Sequence, residues 1–78
     1  MGIRVIIADD HEAVREGLRR VLAGESDIEI VGEAEDGTVA VQMTEDLQPD
    51  IVIMDVSMPN MGGIEATSLI KQRCPRTR

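Results

Sequence analysis

The sequence predicts an α/β domain built on a doubly wound parallel sheet, with the order βαβαβα. Three observations carry this. Two short β-branched runs, "IRVIIA" at residues 3 to 8 and "IVIM" at 51 to 54, show little polar alternation, as strands covered on both faces do. Segments with helical spacing of apolar residues lie between the runs, as parallel pairing requires, because the connection must cross back over the sheet. Each run also ends in acid: Asp9 and Asp10 follow the first, and Asp55 follows the second.

The elements follow in order. After the first strand, residues 12 to 24 place Val14, Leu18, Val21 and Leu22 at helical spacing and predict an amphipathic helix. "IEIVGEA", residues 28 to 34, is a weaker strand. Asp36-Gly37 marks a turn, and residues 38 to 48 form a second helix with Val39, Met43 and Leu47 four apart. Gln48-Pro49-Asp50 stops it, because the residue before proline disfavours helix, and the third strand begins at once. A third helix runs from Gly63 or Ile64 to about Arg73, with Ile64, Leu69 and Ile70 as its apolar contributions, and Pro75 ends it. No repeat, linker or low-complexity segment divides residues 1–78, so they read as one domain.

Composition sets the limits. With 78 residues, 42% of them hydrophobic, there is one modest core, and without Phe, Tyr or Trp it is made of Ile, Val, Leu, Met and Ala. The missing aromatics also remove base-stacking platforms. Fifteen acids against eight Lys and Arg give a net charge of −7, which repels phosphate backbones and anionic membranes, so no direct nucleic-acid or membrane binding is expected. A single cysteine, Cys74, offers neither a disulfide partner nor metal-site spacing. No apolar run approaches a membrane span and no signal-peptide core is present, which makes a soluble cytoplasmic protein the expectation.

The acids need a joint explanation. If strand 2 pairs on one side of strand 1 and strand 3 on the other, the order is 2-1-3, and with right-handed crossovers a crevice opens between the carboxyl ends of strands 1 and 3, the switch point at which open α/β sheets take ligands. Asp9, Asp10 and Asp55 meet there, and each close pair of like charges costs roughly 1 to 4 kcal/mol, depending on local dielectric. A hard divalent cation offsets that repulsion, and Mg²⁺ suits a site with few carboxylates that keeps waters and shares phosphate oxygens. An Asp beside such an ion is a nucleophile toward phosphoryl groups. Blander readings stand alongside. Asp9 with Glu12 fits a capping-box spacing at the helix start, and Asp55 alone fits a strand-end turn, yet capping leaves Asp55 unexplained. His11 reads as a solvated or capping residue, Gly62-Gly63 as a tight turn, Met54, Met58 and Met61 as packing, and Arg73, Arg76 and Arg78 as a solvated tail.

"IRVIIADDHEAVREGLRRVL", "VGEAEDG" and "PDIVIMDVSMPNMGGIEA" together resemble the receiver domain of bacterial two-component response regulators. Asp-Asp-His followed by Val-Arg-x-Gly-Leu resembles the NarL/FixJ-type subfamily. The resemblance implies the flavodoxin-like (CheY-like) fold. It also implies Asp55 as phosphoacceptor, Asp10 as a direct Mg²⁺ ligand, Asp9 acting on the ion through water, and Ser57 lending its backbone carbonyl. It further implies a sensor histidine kinase as partner, control of transcription by the intact protein, and a signalling module with at most weak autophosphatase activity in place of an enzyme. The family pattern continues with two more strands and helices that supply a Ser or Thr and a Lys, and neither has a counterpart here: Lys71 is on the third helix and Thr77 on the approach to strand 4. The expectation is therefore the N-terminal part of a receiver, with strand 3 presenting a free edge, self-association as a dimer or swapped oligomer, and phosphoryl acceptance that is slow or absent. Two rivals remain: a self-associating structural half-domain with a vestigial acidic site, and a phosphohydrolase, disfavoured by Ser57 where a second acid is usual.

Overall fold

The computed structural model describes residues 2–78 and contains the six elements in the predicted order. They are β1 (Ile3–Ala8), α1 (Glu12–Ala23), β2 (Ile28–Ala34), α2 (Gly37–Leu47), β3 (Ile51–Met54) and α3 (Gly63–Arg73). The strands pair in parallel in the order β2-β1-β3, as the sequence predicts. The β1/β2 register slips between Val5 and Ile6, so that Val5 faces Ile30 and Ile6 faces Gly32, leaving Val31 as the extra residue of a bulge.

β1 is covered on both faces, with Val5 3%, Ile6 0%, Ile7 0% and Ala8 1% exposed. The chain steps from β1 to β2 in one direction and from β2 to β3 in the other, so right-handed crossovers put α1 on one face and α2 with α3 on the opposite one. Side chains alternate along β1, and Ala8 packs with Ala34, Ala40 and Met58 under α2. A second cluster of Val41, Ala66, Ile70 and Cys74 joins α2 to α3. Alanines at these contacts let helix and sheet approach closely, which offsets the absence of aromatic bulk.

The helix faces depart from expectation. Val14 is 45% and Val21 72% exposed, while Leu18 and Leu22 are half-buried and the buried member of α1 is Arg15. Arg15, Leu18 and Leu22 form the stripe that meets the sheet, and Val14 and Val21 lie one position round from it. On α3, Ile64 is 77% exposed, and Ala66 with Ile70 makes the contact. Asp36-Gly37 is not a separate turn: Asp36 is the N-cap of α2, its Oδ1 accepting from the Val39 amide at 2.8 Å.

The expected free edge of β3 is half occupied. The Val52 amide donates to the Arg78 carbonyl at 2.7 Å, and the Arg78 amide donates to Asp50 at 3.0 Å. Thr77 is buried and its hydroxyl donates to the Pro49 carbonyl at 2.9 Å. Arg78 thus runs beside β3 through its backbone and Arg73 pairs with Glu45 at 2.7 Å, while Arg73, Arg76 and Arg78 are all exposed.

Candidate functional site

The two acidic loops meet because the strands that carry them end level. Ala8 pairs with Met54, the Asp55 amide donates to the Ala8 carbonyl at 2.9 Å, and the Asp9 amide donates to the Ala34 carbonyl at 3.0 Å. Asp9 and Asp55 therefore emerge side by side from the top of the sheet. The Asp9 carboxylate then turns back, accepting from the His11 amide at 2.8 Å and lying 2.9 Å from the His11 ring Nδ1. That Nδ1 is also 3.0 Å from Asp10 Oδ1. Asp55 Oδ1 accepts from the Ser57 amide at 3.3 Å, which ties the exposed Ser57 to the same corner. Ligand atoms of Asp9, Asp10, His11 and Asp55 all lie within 4.8 Å of one another.

This geometry sets the charges. Burial pushes the Asp9 carboxyl up, but bonds from the His11 amide and ring, with the His11 and Arg15 charges, outweigh it and hold the group below its ordinary value. His11 is raised above its ordinary value, first by its bond to Asp9 and then by the charges of Asp10, Asp9 and Asp55. The His11 ring thus sits between the Asp9 and Asp10 carboxylates, within 3.0 Å of each. It is also the N-cap of α1 and makes no side-chain cap bond, so Asp9 is not a capping-box residue. Three carboxylates form a hard donor set that fits Mg²⁺. The nearby sulfurs belong to packing: Met58 is buried, and Met54 and Met61 lie against the core clusters.

The family model of the response regulator receiver domain matches residues 5–78. The chain belongs to that family. The receiver is 45% identical over 73 residues to the transcriptional regulatory protein DegU of Brevibacillus brevis, covering 94% of this chain and 31% of that protein. Among solved structures it resembles the response regulator domain of Thermotoga maritima CheB, with a TM-score of 0.95 and 40% identity over 100% of this chain and 57% of that one. A LuxR-family two-component response regulator from Aurantimonas sp. SI85-9A1 matches at a TM-score of 0.92 and 40% identity, over 100% of this chain and 56% of that one. The receiver thus spans about a third of the curated relative and a little over half of each of these two solved chains.

Four features of the receiver's site are hidden in the sequence. Gly63 is glycine because of a close approach: a Cβ there would overlap the Asp55 carbonyl oxygen and lie 2.7 Å from Val56 Cα. Gly37 likewise sits against the Met61 backbone, to whose carbonyl its amide donates at 3.1 Å. Asp36 accepts from the Asn60 side chain at 2.8 Å, latching the loop after Asp55 onto the start of α2. Arg15 reaches the Asp9 carbonyl and Glu33. The signal for Arg15 is its place on the helical stripe of Leu18 and Leu22, where a charge needs a partner.

Proposed function

We propose that this receiver takes a phosphoryl group onto Asp55 from the phosphohistidine of a sensor histidine kinase, and that the whole regulator controls transcription through it. The observation that carries the reading is the convergence of Asp9, Asp10 and Asp55 within 4.8 Å at the top of a receiver fold. Asp10 and Asp55 would hold Mg²⁺ directly with the Ser57 backbone carbonyl, and Asp9 through water. When bound, the ion supplies neutralising charge for phosphoryl oxygens. A carboxylate oxygen of Asp55 forms the new P–O bond as the P–N bond of the donor breaks, the electron pair staying with the imidazole nitrogen. The acyl phosphate then shifts an equilibrium between two conformations, which requires that it stabilise one more than the other.

Residues 1–78 are the N-terminal part of a receiver, strands 1 to 3 with helices 1 to 3, and act as a signalling substrate of the kinase with weak autophosphatase activity. Because the family's Ser or Thr and Lys have no counterpart among them, these residues by themselves accept phosphoryl groups slowly or not at all. The unit works in the cytoplasm; among the described residues no helix is long and apolar enough to cross a membrane. A Mg²⁺ titration with Asp55→Asn as control tests the site, and intact mass after incubation with Mg²⁺ and a small phosphodonor tests acceptance. Asp55-dependent Mg²⁺ binding is expected, with addition of at most one phosphoryl group, slow and Asp55-dependent or absent; rapid stoichiometric addition would defeat the expectation of impairment. Binding that Asp55→Asn leaves unchanged would refute the reading.

A further inference from the structure

Arg15 is the only buried charged residue among the described residues, at 7% exposure. A guanidinium in that position needs fixed partners. Its Nε donates to Glu33 Oε1 at 3.1 Å, and Glu33 is held in turn by Arg19. Pairing with Glu33 alone would satisfy the requirement for a counter-charge and would dock α1 onto β2. The second bond does something different: the far end of the guanidinium donates to the Asp9 carbonyl. That oxygen belongs to the peptide joining Asp9 to Asp10. A peptide unit is planar, so pinning its oxygen also sets the Asp10 nitrogen and Cα, and hence the direction in which the Asp10 carboxylate leaves the chain.

We propose that Arg15 is a positioning residue for the cation site: clamped by Glu33, it fixes the Asp9–Asp10 peptide so that the Asp10 carboxylate faces Asp55. This rests on the reading of the acid cluster as a Mg²⁺ site. Positioning and simple charge predict opposite signs. The guanidinium repels a bound cation, so if charge were all that mattered, removing it would tighten Mg²⁺ binding. If the guanidinium positions Asp10, removing it weakens binding despite the lost repulsion. Lysine separates the two further, because it keeps the charge and much of the stem but presents one compact ammonium that does not span Glu33 and the Asp9 carbonyl as the planar fork does.

The test is Mg²⁺ titration of the ¹⁵N-labelled chain by NMR, comparing wild type, Arg15→Met, Arg15→Lys and Asp55→Asn, with circular dichroism as a check on folding. Affinity is expected to fall about tenfold or more in both Arg15 variants, the range for lost partners behind a metal's ligands. Unchanged or tighter binding in a folded Arg15→Met, or unchanged binding in Arg15→Lys, would overturn the proposal and leave the Asp55 site standing. If wild type shows no Asp55-dependent binding, the metal reading fails instead, and backbone order at Asp10, measured without Mg²⁺, still decides the positioning role. That order should drop in the Arg15 variants while the rest of α1 keeps its own; an Asp10 as ordered as in wild type would refute the pinning. Arg15→Lys, with its charge retained, carries the test if Arg15→Met does not fold.

Discussion

A methyl group at position 63 has nowhere to go, since the atoms it would meet are the Asp55 carbonyl and the Val56 Cα at 2.7 Å. These are backbone atoms, and no rotamer change relieves the overlap. Gly63→Ala should therefore push α3 off the Asp55 segment, lower stability by roughly 1 to 3 kcal/mol, and weaken Mg²⁺ binding along with it. Gly17 is the matched control, because a Cβ there meets nothing within 4 Å, and Gly17→Ala in the middle of α1 should stabilise by about 0.5 to 1 kcal/mol. Urea unfolding of the two variants checks both signs. What could be read at this scale depended on whether a residue's role was local. The acids at the strand ends were legible because the end of a strand is itself legible. Gly63 was not, since a glycine pair looks the same whether it serves a turn or a close approach, and Gly62 here has an ordinary extended φ of −70°. Arg15 was hidden because its partners Asp9 and Glu33 lie on other elements.

At the scale of elements, the start of α2 controls the loop that follows Asp55. Asp36 accepts from the Val39 amide and from the Asn60 side chain, both at 2.8 Å, and Asn60 sits in the left-handed region with φ 66°. The Val39 amide first, and then Asn60, hold the Asp36 carboxyl below its ordinary value. A group whose folded value is depressed contributes stability that is present above its unfolded value and is lost as pH falls through the folded one. This contribution should therefore be complete above about pH 3.8 and disappear below it, where the carboxyl protonates. Urea midpoints of wild type and Asp36→Asn across that window provide the check: the asparagine still caps, so its curve should lose this part of the acid slope and keep much of the stability, whereas Asp36→Ala should lose stability at neutral pH too. If Asp36→Asn kept the full acid slope, the assignment would be wrong. Helix boundaries were legible to within about a residue, because caps and Pro49 punctuate them. Helix faces were less so. Spacing located an apolar stripe on α1, but the face that docks is the one bearing Arg15, and Val14 and Val21 remain at 45% and 72% exposure.

For the whole molecule, the crossover rule sets handedness but not strand order; 2-1-3 was legible only with the help of the resemblance to receiver domains, and it is the arrangement that brings Asp9 and Asp55 to one crevice. The open edge was anticipated only in part. Along β3 the amides alternate in direction, so Met54 points the same way as Val52, and of the two it is Val52 that donates to Arg78. Beside it, Val52, Met54, Thr67, Ile70, Lys71 and Thr77 line a mainly apolar groove. An unpaired strand edge next to an apolar groove is a template for a second chain. The net charge of −7 opposes that contact, and its reach shrinks to about 8 Å at physiological ionic strength. Self-association should therefore strengthen as salt is raised, the reverse of an assembly held by ion pairs. Sedimentation velocity over a range of protein and salt concentrations measures this directly. Thr67→Glu, on the exposed side of α3, adds to the negative charge at the groove without touching the core, and should shift the protein toward monomer. A compact monomer at every concentration and salt level would show that the Arg78 pairing is enough to close the edge.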